Sequence, residues 1–195
     1  SSSEIFSTNN IESKFNENSR IKPMNPYGVS KMTAQELVRM YRESYNINAS
    51  IGIMFNHEGP LRARNYVTRK ITFNLARLKA LGGDPMALGG FNSKRDWGSA
   101  EDYTSAMINI MENDLKDDFV FSTGNLTSIR DFLSFSATEI GFEPEFEGLG
   151  IDEVCFDKKS GRKLSIISKK YYRPFDSPAR VGDSSKLKKK INWNG

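Results

Sequence analysis

Cysteine and histidine are almost absent from these 195 residues. A single cysteine, Cys155, rules out an internal disulfide, and a single histidine, His57, rules out the usual multi-histidine metal sites. No run approaches the roughly eighteen apolar residues that a membrane span needs, and the first residues carry no basic-then-apolar signal pattern. These shortages point to a soluble chain in a reducing, cytoplasmic setting, with no membrane partner. What is present suits a packed core: 37% of residues are hydrophobic and 27% charged, enough for one or two small domains.

Charge is biased but not extreme, with a net +4 and an isoelectric point near 9.1. The basic run Lys186 to Lys190 is interrupted by Leu187 and followed by Ile191, the pattern of a short amphipathic helix whose lysines face solvent. Nucleic acid is therefore not an expected partner. A positive surface would instead attract phosphorylated small molecules.

Chemistry concentrates first in Asn25-Pro26-Tyr27-Gly28-Val29-Ser30-Lys31. Pro26 suits a first helical turn, and Met32, Leu37, Val38, Met40 and Tyr41 then recur at roughly helical spacing. Tyr27 and Lys31, four apart, share one helix face. A free phenol titrates near 10, and reaching 7 requires about 4 kcal/mol in favour of the phenolate, which a close ammonium can largely supply. Tyr27 then becomes a candidate proton acceptor. Tyr-x-x-x-Lys alone is a common spacing, and in most unrelated proteins it is an ordinary surface pair.

The neighbouring blocks make it specific. Ser1-Ser2-Ser3-Glu4-Ile5-Phe6 lies upstream. Downstream come Phe55-Asn56-His57-Glu58-Gly59-Pro60, Val67-Thr68-Arg69-Lys70, Arg95-Asp96-Trp97-Gly98, Tyr172-Arg173-Pro174 and Gly182-Asp183. In order, spacing and identity the chain resembles the GDP-mannose 4,6-dehydratase family, extended short-chain dehydrogenases/reductases acting on nucleotide sugars. The resemblance runs over almost the whole chain.

It implies an α/β fold: the C-terminal part of a Rossmann-like parallel sheet, plus a small mixed α/β substrate-binding domain. Residues 1–66 would be the C-terminal portion of the NADP-binding domain with its catalytic groups, and 67–195 mainly the nucleotide-sugar region. The family opens with a Gly-x-x-Gly-x-x-Gly turn that holds the cofactor pyrophosphate, and no such turn occurs here. On this reading a missing N-terminal half or a complementing chain is required, and the isolated 195 residues are inactive.

The resemblance also implies roles. Ser2, Glu4, Tyr27 and Lys31 are the catalytic set, with Glu4 as base for the C5 proton of the sugar and Ser2 standing where the family usually has threonine. Two apart on a strand, Ser2 and Glu4 would point to the same face. Tyr27, Lys31, His57 and Arg62 would contact NADP. Asn56, Val67, Lys70, Arg95 and Arg173 would hold GDP-mannose, with Glu153 at the nucleotide ribose by a looser match. Leu61 replaces a second arginine, and Gly59 a serine, of the family pattern. Family members commonly assemble as homo-oligomers. A related nucleotide-sugar reductase or epimerase would share Tyr27 and Lys31 without needing Glu4, and a split or decayed remnant would not bind cofactor.

Along the rest of the chain, helices are expected over Val67 to Leu81, Glu101 to Asn113 and Ile129 to Ile140. Residues 1 to 6 are expected to be the end of a strand, and strands are expected over Ala49 to Phe55 and over Asp118 to Ser122. Residues 7 to 26 and 141 to 163 read as loop-rich.

Overall fold

Two strands at the heart of the first unit pair in parallel, β1 (Ile51–Met54) with β6 (Asp118–Phe121), Ile51 facing Asp118 and Met54 facing Phe121. The computed structural model describes residues 1–7, 14–172 and 179–193. Ser2 adds a single parallel bridge to Met54 on the other edge of β1. Strand alternation sends Ile51, Ile53 and Val120 to one face, with Ile5, Phe6 and Phe15, and sends Phe119 and Phe121 to the other. Each face is covered. Met32 and Val38 of α1 (Pro26–Tyr45) pack on the first; Tyr103, Ala106 and Ile110 of α3 (Ala100–Glu112), with Leu187 of α5 (Ser185–Ile191), pack on the second. A parallel pair buried on both faces reads as a nearly continuous apolar run, as Asp118–Phe121 does. A second parallel pair joins β2 (Asn56–Glu58) to β5 (Trp97–Ser99).

The second unit is a four-stranded mixed sheet in the order β3 (Met86–Leu88), β10 (Lys163–Ile167), β9 (Val154–Asp157), β8 (Pro144–Glu147). β10 runs parallel to β3 and antiparallel to β9. Ile71, Leu75 and Leu78 of α2 (Val67–Leu81), one stripe at i, i+4 and i+7, meet Leu133 and Ala137 of α4 (Ile129–Glu139) and cover this sheet with Met86, Leu88, Cys155 and Leu164. α4 starts in a capping box: the Asp131 N–H donates to Ser128 Oγ, and the Ser128 N–H donates to Asp131 Oδ2.

Three expectations need correction. Residues 1 to 6 are not simply a strand end. Parallel pairing with β1 is a single bridge at Ser2, whose Oγ accepts the Glu4 N–H at 3.3 Å and starts a 3-10 turn over Ser3–Ile5, after which Phe6 bridges Ile21 antiparallel. Residues 141 to 163 are not mainly loop, since β8 and β9 lie there; Glu145-Phe146-Glu147, read as charge alternation, is a period of two with Phe146 against the core. Leu37, Met40 and Tyr41, whose spacing marks α1 as a helix, are exposed. Finally, the chain does not divide once near residue 66. The first unit comprises Ser1–Gly59, Arg95–Leu126 and Ser177–Gly195, and the second Pro60–Lys94 and Thr127–Asp176, because β6 must return to pair with β1. Among the described residues no helix is long and apolar enough to cross a membrane.

Candidate active site

Asn25 organises the start of α1. Its backbone is extended (φ −150°), its Oδ1 accepts the Gly28 N–H at 2.8 Å, and Pro26 follows in the first turn. Gly28 is where the helix touches the Ser3–Ile5 turn: a Cβ built there would stand 2.4 Å from the Glu4 carbonyl oxygen. Glycine at this position is therefore set by close approach. The cap and this contact fix Tyr27, 54% exposed, and Lys31, whose Nζ lies 5.4 Å from the Tyr27 ring centroid.

The same asparagine reaches Glu4. Asn25 Nδ2 donates to Glu4 Oε2 at 2.8 Å, while Arg180 Nη1 donates to Glu4 Oε1 at 2.8 Å. Ser2, Glu4 and Tyr27 are thus brought together around one helix terminus. The link is the cap and the 3-10 turn, not a shared strand face. Ser2 spends its hydroxyl oxygen as acceptor for the Glu4 N–H and keeps its O–H as a donor.

His57 lies on β2 with Nδ1 2.9 Å from the Phe55 carbonyl oxygen. A carbonyl only accepts, so Nδ1 carries the hydrogen and Nε2 presents a lone pair. Opposite His57 on β5 is Gly98, where a Cβ would come within 2.6 Å of the Tyr103 ring. Burial raises the Tyr103 phenol far above its usual range, with Asp96 and Asp102 adding to the effect, so it stays protonated. Asn56 heads β2 and is exposed; Arg95, in β4 (Lys94–Arg95), is half-buried.

Two sequence blocks meet at Asp96. Its fully buried carboxylate accepts from the Thr123 N–H (2.9 Å) and hydroxyl (2.7 Å), the Gly124 N–H (3.1 Å) and the Gly182 N–H (3.1 Å). The aspartate of Arg-Asp-Trp-Gly therefore pins the turn after β6 and the Gly182-Asp183 segment. The Asp183 N–H donates to the Phe15 carbonyl in turn.

In the second unit, Val67 opens α2 and packs on the core. Lys70 donates to the Ala87 carbonyl and sits 4.5 Å from the Tyr171 ring centroid. Glu153 is buried and ion-paired with Arg130, whose guanidinium also lies 4.4 Å from the Phe146 ring centroid. The guanidinium of Arg62 stacks on Tyr66 at 3.6 Å, and Leu61 beside it is 97% exposed. Arg173 lies outside the described residues. No group of three or more metal-binding side chains occurs among the described residues.

Sequence reasoning overlooked Asn25 as a ligand of Glu4, and Arg180 altogether. Asn25 was readable as an N-cap from Asn-Pro; no local signal marks Arg180, which comes from a distant part of the chain.

The model of the GDP-mannose 4,6 dehydratase family matches residues 1–195. Human GDP-mannose 4,6 dehydratase is 41% identical over 171 residues, covering 88% of this chain and 46% of the relative. The Drosophila melanogaster protein of that name is 38% identical over 183 residues, covering 94% and 46%. The chain spans about half the length of the curated relatives it matches. Among solved structures, RMD from Pseudomonas aeruginosa, complexed with NADPH, superposes with a TM-score of 0.76 at 18% identity, covering 99% of this chain and 58% of the other. The dTDP-glucose 4,6-dehydratase of Bacillus anthracis, in complex with NAD, gives 0.71 at 17%, covering 97% and 54%. Likeness at such low identity bears on the fold, which is the Rossmann-like α/β arrangement of these enzymes. On the match along all 195 residues, the chain belongs to the GDP-mannose 4,6 dehydratase family.

Proposed function

We propose that the protein acts as a GDP-mannose 4,6-dehydratase, a hydro-lyase that converts GDP-mannose to GDP-4-keto-6-deoxy-mannose in the cytoplasm. The observation that carries this reading is the Asn25 link, which holds a carboxylate, Glu4, against the first turn of the helix bearing Tyr27 and Lys31. A proton acceptor for a hydroxyl and a second for a carbon acid, side by side, are what dehydration asks for and simple oxidation does not. Family membership and the names of the curated relatives support the same reaction.

The donor set suits NADP. Tyr27 and Lys31 stand side by side at the start of α1, where an ammonium can bond the nicotinamide ribose, and His57 presents Nε2. When bound, NADP removes a hydride from C4 of the sugar and returns it at C6.

Tyr27 accepts the proton of the C4 hydroxyl, and the Ser2 hydroxyl steadies the C4 oxygen. Once C4 is a ketone, the C5 proton is acidic, and Glu4 takes it. The C5 electron pair forms the C5–C6 double bond as the C6–O bond breaks. Glu4 passes its proton to the departing hydroxyl, which leaves as water. A proton taken up at C5 when C6 is reduced balances the one released to Tyr27, and the hydride lost at C4 is regained at C6, so there is no net redox change. We assign the parallel-strand unit to the cofactor side, and the four-stranded unit, with Val67, Lys70 and Arg173, to the nucleotide sugar.

Glu4→Gln and Tyr27→Phe in the native protein test this directly by chromatography of the sugar nucleotide. Both are expected to lose 4-keto product by at least about a hundredfold, the lower range for a lost acid–base group. Undiminished turnover in Glu4→Gln refutes the assignment.

A further inference from the structure

Glu4 is gripped on both oxygens, and the second grip comes from far along the chain. Arg180 Nη1 donates to Oε1 at 2.8 Å, and its Nε donates to the Phe6 carbonyl at 3.1 Å. The Arg180 side chain is only 11% exposed, against 34% for Glu4. Its fork is therefore fixed before it meets the carboxylate. Arg180 stands two residues before Gly182, which Asp96 anchors, and the Phe15 N–H donates to the intervening Val181 carbonyl. Asn25 holds the other oxygen and is itself fixed by the Gly28 N–H.

A carboxylate oxygen has two acceptor sites, so each Glu4 oxygen retains one after these bonds form. The clamp sets where those remaining lone pairs point. A loose glutamate would have to give up rotamer freedom each time it lined up on a C–H bond, and the clamp removes that cost beforehand.

We propose that Arg180 is a positioning residue for the elimination half of the reaction: it aims the Glu4 carboxylate at the C5 proton. This rests on the dehydratase reading above. The α1 cap that sets Tyr27 and Lys31 is supplied by Asn25. Loss of Arg180 therefore slows removal of the C5 proton while oxidation at C4 proceeds.

Arg180→Met and Arg180→Lys in the native protein, given NADP and GDP-mannose, separate these steps. In Arg180→Met, kcat is expected to fall about tenfold or more with KM little changed, the signature of an interaction that matters to the transition state. In a single turnover, near-ultraviolet absorbance of reduced nicotinamide should build up above the wild-type level, and Arg180→Lys should partly restore kcat. An unchanged kcat, or a fall without that build-up, overturns the proposal. A measurement independent of turnover accompanies it: amidation of Glu4 by a water-soluble carbodiimide and glycine ethyl ester, read by peptide mass spectrometry. Labelling about tenfold faster in Arg180→Met supports the clamp, and equal rates overturn it. A wild-type protein that binds NADP yet makes no 4-keto product refutes the dehydratase reading, and the catalytic part of this proposal with it, while the labelling result still decides the clamp.

Discussion

Replacing Gly28 with alanine sets two effects against each other. In a helix, alanine is favoured over glycine by about 1 kcal/mol, so an unobstructed exchange would stabilise α1. Here the new methyl group would lie 2.4 Å from the Glu4 carbonyl oxygen and 3.0 Å from the Pro23 Cβ, so the helix start or the Ser3–Ile5 turn must shift. Forcing a methyl into a filled site costs about 1–3 kcal/mol, and relief is hard because the obstacle is backbone. The net expectation is a loss of up to about 2 kcal/mol, which at a urea slope near 2 kcal/mol/M lowers the unfolding midpoint by up to about 1 M. Equilibrium urea unfolding followed by circular dichroism measures it. Gly90→Ala is the control: nothing lies within 4 Å of its added Cβ, and the change should be neutral or stabilising by up to about 1 kcal/mol. A midpoint for Gly28→Ala raised by about 0.5 M, the gain of an unobstructed exchange, would refute the packing of α1 on the Glu4 turn.

Asp96→Ala would leave three backbone N–H groups and a hydroxyl without their acceptor, and should cost about 3 kcal/mol or more in thermal or urea unfolding. A loss below about 1 kcal/mol would mean that the carboxylate is not the anchor described. Burial pushes the Cys155 thiol up to about 12, so it should resist a thiol reagent at neutral pH until the protein unfolds; rapid native labelling would contradict its place in the core. The Ser160 hydroxyl bond, with backbone N–H groups, holds the Asp157 carboxyl below its usual 3.8, and Ser128 does the same for Asp131. Both carboxyls are lower in the folded than in the unfolded chain. Their stabilisation is therefore present above about pH 4 and is lost as pH falls through the folded values. Ser160→Ala should shift the acid-unfolding midpoint upward, and an unchanged midpoint would show that the bond is not made in solution.

The long helices were legible because apolar spacing and flanking residues agree: Val67–Leu81 carries Ile71, Leu75 and Leu78 at one stripe and ends at Gly82, whose φ is 71°. The buried strands at Ile51–Met54 and Asp118–Phe121 stood out as short apolar runs. β8 and β9 did not, because a strand exposed on one face mixes glutamate with phenylalanine and resembles a charged loop. The site was legible where its chemistry is local: Tyr27, Lys31 and the Asn25 cap sit within seven residues of sequence. It was illegible where contacts are long-range. Arg180 meets Glu4 across 176 positions and Asp96 meets Gly182 across 86, and no spacing rule reaches so far. Glu153, given to the nucleotide ribose by the resemblance, is ion-paired with Arg130, a partner 23 positions away that no local spacing marks.

The central claim is an intramolecular hydride shift with Glu4 as the C5 base. Incubating the native protein with NADP and GDP-mannose deuterated at C4, and locating the label in the product by NMR, tests it most directly. The account predicts 4-keto-6-deoxy product with deuterium at C6, formed by the wild type and not by Glu4→Gln. Label lost to solvent, or label retained at C4, would contradict it.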